Sequence, residues 1–309
     1  MLSLEISPIT NAFRHRAVAT PRTFDFSTGI LPPGLAVTRA SAGTGFYTDG
    51  SIVSYAPDAA RFSSEPANPG AGLGLVLEPH RSNLLVQSEG GVGAWSSSSA
   101  TLGGLALGAL GRFSGVSVAS TGATWNRAIR NIALAGAMSH VLTAFVRAGS
   151  SGSILVMFKN ATTGKSSQAA GPLGSLSASD DGAGAVAVLG DALLADGLTR
   201  RLVLRFTPAA GATHSIGIGP GSAVPGQSVI VLAVQLEAGS EATSYMPTTT
   251  AVATRLADAV TTDLAAGDYS VGIVAVGGAT EALGVTTLAA GQWPVFATRL
   301  VSRIEFRRL

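Results

Sequence analysis

Arg201-Leu202-Val203-Leu204-Arg205-Phe206 is the stretch whose reading decides the fold. Successive side chains of an extended chain point to opposite sides, so Leu202, Leu204 and Phe206 share one face and Arg201, Val203 and Arg205 the other. That period of two predicts a strand with one buried side and one wet side. Similar segments flank it: FSGVSVAS (113–120), HVLTAFVRAG (140–149), GSILVMFKN (152–160), GAVAVLG (184–190), TRRLVLRFTP (199–208), HSIGIG (214–219) and SVIVLAVQLEAG (228–239). Seven such segments separated by Gly- and Ser-rich turns predict an all-β protein, two antiparallel sheets packed as a jelly-roll-like β-sandwich.

Upstream, LAVTRAS (35–41), GFYTDGSIVSYAPDAARF (45–62) and GLGLVLEPHRSNLL (72–85) alternate β-prone runs with turns. Asp49-Gly50 sits between two β-prone flanks and predicts a hairpin whose central residues both take positive φ. Downstream, DYSVGIVAVGG (268–278), LGVTTLAAG (283–291) and PVFATRLVSRIEFRRL (294–309) predict a small C-terminal β appendage. In the last of these, Val301, Arg303, Glu305 and Arg307 share one face, opposite Ile304 and Phe306. Residues 1–22 show no clean periodicity and read as an N-terminal docking arm. The expected division is therefore an arm (1–22), a sandwich unit (23–257, with leading hairpins 23–85 and body 86–257) and a C-terminal β region (258–309). No repeat of 20–50 residues is present, which argues against a solenoid or propeller.

Composition narrows the function. Charged residues are 12% of the chain, about half the roughly 25% usual for soluble proteins, against 46% hydrophobic residues and a mean hydropathy of +0.39. Such a bland surface predicts cover by partner subunits, in a closed homo-oligomer such as a trimer. The net charge is +2 despite a pI near 9.3, because Lys159 and Lys165 are the only lysines among 20 basic residues. Arginine titrates last, so the pI signals no strong positive field, and nucleic-acid binding gains no support. The absence of cysteine removes disulfide scaffolds and thiol chemistry. MLSLEISPITNAFRHR has no signal-peptide pattern, and no run of about 18 apolar residues predicts membrane insertion.

Motifs for catalysis are missing. Gly164-Lys165-Ser166 lacks the first glycine of a phosphate loop, since position 159 is Lys159. No Gly-x-Ser-x-Gly elbow occurs. His15, His80, His140 and His214 are far apart in sequence and read as structural residues. Asp180, Asp181, Asp191 and Asp196 form the densest acidic group, with three readings: solvated loops, a calcium site, or the acid pair of a glycosidase. No other cofactor is suggested. For sugar recognition, an exposed aromatic face beside polar groups is the usual device, and Trp125 with Arg127 on its side is the candidate, joined by Asp180 and Asp181. The alternative places Trp95 and Trp125 in the sandwich core.

Several blocks carry a family resemblance: Thr38-Arg39-Ala40-Ser41, the Asp49-Gly50 hairpin, Ala60-Arg61-Phe62, and Gly74-Leu75-Val76-Leu77-Glu78-Pro79-His80-Arg81-Ser82-Asn83-Leu84-Leu85. They close downstream with Gln235-Leu236-Glu237-Ala238-Gly239, Thr243-Ser244-Tyr245-Met246-Pro247-Thr248-Thr249 and Ala253-Thr254-Arg255. From Leu35 to Asp258 the chain resembles structural proteins of tailed phages, prophages and gene-transfer particles whose sandwich is like a concanavalin A-type or carbohydrate-binding module. The resemblance implies a fibre, spike or tail-tip subunit of a phage-like particle, assembled in the bacterial cytoplasm. Residues 1–22 would dock it to other virion proteins, and the sandwich would contact host capsule or lipopolysaccharide without being an enzyme. A purely structural adaptor is the alternative, and a polysaccharide depolymerase a further one. Two features depart from the pattern: Asp196-Gly197-Leu198-Thr199-Arg200 stands where relatives carry an aromatic dipeptide, and residues 259–309 contain no second lectin or depolymerase domain. Independently of family, Arg39, Arg61 and Arg255 at strand ends, with Glu78 and Arg81, predict buried ion pairs that lock crossing segments.

Overall fold

The computed structural model is described for residues 20–89 and 95–309, which form twenty-four strands, one short 3-10 turn at Pro69–Ala71 and no α-helix. The leading strands are β1 (Arg22–Asp25), β2 (Leu35–Thr38), β3 (Gly43–Phe46), β4 (Ile52–Tyr55), β5 (Phe62–Ser63), β6 (Gly74–Val76) and β7 (Arg81–Asn83). Then come β8 (Ser96–Ser98), β9 (Ala100–Ala109), β10 (Phe113–Ser120), β11 (Arg127–Leu134), β12 (His140–Ala148), β13 (Ser153–Asn160), β14 (Ser166–Pro172), β15 (Ser177–Asp180), β16 (Gly184–Leu193), β17 (Thr199–Pro208), β18 (Ala212–Pro220) and β19 (Ser228–Ala238). The chain closes with β20 (Ala253–Arg255), β21 (Ala259–Thr262), β22 (Gly267–Ala275), β23 (Thr280–Leu288) and β24 (Leu300–Arg308).

Strands β8–β19 build the predicted antiparallel sandwich. Its inner sheet runs β16-β17-β12-β19-β10-β9 and its outer sheet β15-β14-β13-β18-β11-β8. Leu202, Leu204 and Phe206 all enter the core between them, with Val156, Phe158, Ile216, Ile218, Val234 and Leu236. Phe206 stacks on Phe158 with centroids 4.3 Å apart. Burying such side chains stabilises by roughly 1.5–3 kcal/mol each before ordering entropy is counted.

The other face of the inner sheet is not wet, which corrects the reading of one buried and one solvated side. Phe145, Leu232 and Ala233 on that face pack with Phe46 and Ile52 of the β3–β4 hairpin and with Tyr245. The centre of the inner sheet is therefore covered on both sides, while its edge strands keep Leu107, Leu189 and Leu193 exposed, and among the described residues no other strand is layered on the outer sheet. In the β3–β4 hairpin only Gly50 takes positive φ (81°); Asp49 instead accepts from the Ser51 amide at 2.8 Å, an Asx-type closure.

A further sheet runs β23-β22-β24-β6-β5, with β1 paired to β24. Its core gathers Phe24, Phe26, Leu75, Tyr269, Ile273, Ile304 and Phe306. Ile304 and Phe306 are buried opposite Arg303 and Arg307, as alternation requires. A register shift opposite Val274–Ala275 turns Val301 into the core as well, so it does not share the arginine face. This sheet joins the leading strands to residues 267–308, so the pairing groups these segments together rather than setting 258–309 apart. Of the predicted arm, residues 1–19 lie outside the described residues, and Arg22 already belongs to β1.

Candidate functional site

Two constellations bear on function: a buried ionic core and a free sandwich face. The ionic core forms where β3, β6 and the segment after β19 meet. The Arg61 guanidinium contacts Glu78 Oε2 at 2.8 Å and also Asp258; Arg39 reaches Asp258 Oδ1 at 2.9 Å, and Arg255 reaches Glu78 Oε2 at 3.1 Å. Ser244 donates its amide to Glu78 Oε1 and its hydroxyl to Oε2, both at 2.7 Å, and the Glu78 amide donates to Asp258 at 2.9 Å. Arg39 also donates to the carbonyls of Ser41 and Ala56. Burial would push the Glu78 carboxyl up, but the Arg255 and Arg61 guanidiniums beside it prevail and hold it below its ordinary range.

Arg39, Arg61, Glu78 and Arg255 are thus brought together, and Arg81 is not: its guanidinium lies against Gly239 and donates to the His80 carbonyl. Three residues along an extended chain point to opposite sides, so Glu78 and Arg81 diverge. Asp258 completes the cluster and was missed, because its partners lie 180 to 219 residues away in sequence. Its spacing of three from Arg255 gave no usable signal outside a helix. Glu78, held between the Arg61 and Arg255 guanidiniums, stays ionised and has no proton to give, so the cluster is built as a clasp.

The outer sheet presents the second constellation. Trp125 stands in the turn before β11 and is 47% exposed, which removes it from the core, whereas Trp95 is buried. Arg127 opens β11 and lies under the indole, its guanidinium carbon 4.6 Å from the ring centroid. A desolvated cation–π contact of this kind contributes about 2 kcal/mol. The arginine stem runs across Gly217 of β18, where a Cβ would sit 2.5 Å from Arg127 Cδ. Nη1 points to the Met157 sulfur at 2.8 Å, and Nε has no partner. Arg127 is only 4% exposed and makes no ion pair among the described residues. Burial alone pulls its guanidinium down to about 10, which leaves it charged at neutral pH.

Asp180 and Asp181 lie elsewhere. Asp180 ends β15, four strands from β11, roughly 19 Å at the usual strand spacing. It accepts from the Ser167 hydroxyl and the Gly182 amide, so it closes its own turn. Asp181 makes an exposed pair with Lys165 at 3.6 Å. Asp191 binds Arg200, and Asp196 binds Arg147 and Thr199. These four aspartates do not converge, and no group of three or more potential metal ligands occurs among the described residues. His140 and His214, far apart in sequence, come to either side of Phe206: His140 is its register partner, and the His214 ring is 5.4 Å from it.

No family model matches the chain, and no curated protein matches it. Among solved structures, one similar chain is an arabinose-bound MgGH51 α-L-arabinofuranosidase, at 13% identity and a TM-score of 0.33. That match covers 71% of this chain and 32% of the arabinofuranosidase, so the chain spans about a third of that structure's length.

Proposed function

We propose that this protein is an adhesive subunit of a phage-like particle that contacts host surface polysaccharide through the outer sheet of its sandwich. The observation that carries this reading is the exposed Trp125 ring held over the buried Arg127 guanidinium, on a sandwich face that no other strand covers among the described residues. An indole fixed in place by a cation beneath it is a stacking platform for a pyranose, with little ordering entropy left to lose on binding. The particle context is supported by the resemblance of residues 35–258. Its blocks supply Arg39, Arg61, Glu78, Ser244 and Arg255, the residues that lock the sandwich to the remaining strands.

The protein acts by binding and carries out no catalysis on this reading. The Glu78 carboxyl, between Arg61 and Arg255, is held below its ordinary range, whereas a glycosidase needs one protonated acid. Copies assemble through the bland remaining surface, where Val285 of β23 and Val295 of the loop before β24 are exposed. A glycan array probed with the full chain tests the adhesive role. Binding that falls by at least about tenfold in Trp125→Ala supports it, and an array without signal removes it in favour of a structural adaptor.

A further inference from the structure

Arg127 differs from the other deeply buried arginines of the chain. Arg39, Arg61 and Arg255 each meet a carboxylate, whereas Arg127 has a thioether, an indole face and a glycine floor. A buried cation without a counter-charge is destabilising unless something neutralises it. Among the described residues no group does so: the strands of the outer sheet contain a single acidic residue, Asp180, and it sits at the far edge, bonded to the core-side Ser167.

The solvent face of that sheet follows from the register. Ser98, Arg127, Gly219, Leu155, Ala170 and Ser177 form one row across the six strands. Ser96, Ile129, Gly217, Met157, Gln168 and Ser179 form the next. Lys159 adds a second cation one row further on, roughly 17 Å from Arg127 by strand spacing and rise. Among the described residues this face therefore offers two positive groups, hydroxyls, the amides of Gln168 and Asn131, and no carboxylate.

We propose that the ligand of this face is an anionic polysaccharide, with a sugar carboxylate on Arg127 and the same or the neighbouring ring on Trp125. This rests on the adhesive reading and specifies its ligand. A carboxylate matches a guanidinium, and with Nε buried and Nη1 turned to the Met157 sulfur, Nη2 is the donor left for it. Gly217 and Gly219 leave the sheet bare beneath this residue: the Arg127 stem fills the place of a Gly217 side chain and the Asn126 carbonyl that of a Gly219 one, which holds the guanidinium under the indole. Lys159 extends the positive track along a polymer, which neutral glycans would not exploit.

The experiment uses the full chain immobilised on a biosensor, with alginate, polygalacturonate and hyaluronan as probes, each beside its carboxyl-reduced counterpart. The expected result is binding of at least one acidic polymer, lost by at least about tenfold on carboxyl reduction and weakened by added salt. Arg127→Met, with its fold checked by near-ultraviolet circular dichroism, should lose the same preference, and Arg127→Lys should retain part of it. Equal binding of acidic and carboxyl-reduced forms overturns the anionic assignment and leaves the adhesive reading standing. Failure of every polymer, acidic and neutral, overturns both. If Arg127→Met does not fold, the carboxyl-reduction comparison on the unaltered protein still decides.

Discussion

Glu78 and His140 set how the molecule responds to acid, and they do so in different pH windows. His140 is buried, and burial, together with the nearby His214, depresses its pKa below 6.5, offsetting a weaker opposite effect of the Met138 backbone. The unfolded chain takes up this proton as pH falls through 6.5 while the folded chain resists it, so stability present above that pH is lost on acidification. Glu78 is depressed from 4.5 by its arginines, so its contribution is complete above 4.5 and drains away as pH falls through the folded value. Urea denaturation from pH 8 to 3 should therefore show two stages of weakening, the upper absent in His140→Phe. Glu78→Gln should shrink the lower stage, which Asp196 and other hydrogen-bonded carboxylates share, and lower stability at pH 7 by about 3–5 kcal/mol, because Arg61 and Arg255 are left buried with an incomplete set of acceptors. The arginines of this cluster were legible in the sequence as strand-end charges in an otherwise charge-poor chain. Asp258 was not, since only the tertiary crossing brings it to them.

At the level of strands, legibility followed side-chain chemistry. β10, β12, β13, β17 and β19 could be read from Val, Ile, Leu and Phe at period two. β8, β9, β14 and β15 consist largely of Ser, Ala, Gly and Gln, weak strand formers that extend here because their neighbours offer a ladder to join. The room for Arg127 comes from Gly217 and Gly219 of β18, a strand whose Ile216 and Ile218 made it readable. β18 illustrates the trade. Gly217→Val would favour an extended backbone, yet its side chain would occupy the space of the Arg127 stem. The expected outcome is a protein that retains its far-ultraviolet spectrum but loses polysaccharide binding and the near-ultraviolet signature of Trp125. Intact binding in this variant would show that Arg127 does not need its present course.

Across the whole molecule, the hydrophobic cores of the sandwich and of the β22–β24 sheet are separate clusters, bridged by the ionic core and the Tyr245 cluster. Each carries its own reporter: Trp95 in the sandwich, and Trp293, whose ring lies 5.8 Å from Phe306, in the other sheet. Phe306→Ala should remove about 3–5 kcal/mol from the second core. The Trp293 transition should then move to lower urea well before the Trp95 transition; a coincident shift of both would show that the ionic core couples the two units fully. The all-β architecture was readable because it depends on local alternation and turns. The joining of leading and closing strands in one sheet was not, since register between segments nearly three hundred residues apart leaves no local trace.

The pairing of β1 with β24 also sets how the protein meets tension. Arg22 lies opposite Phe306 and Asp25 opposite Arg303, so the segments entering β1 and leaving β24 emerge side by side. Pulled apart, they would open this ladder one residue pair at a time, as a zip and not in shear. Until the last of those pairs gives way the sandwich stays outside the path of the load, and its outer sheet keeps its shape.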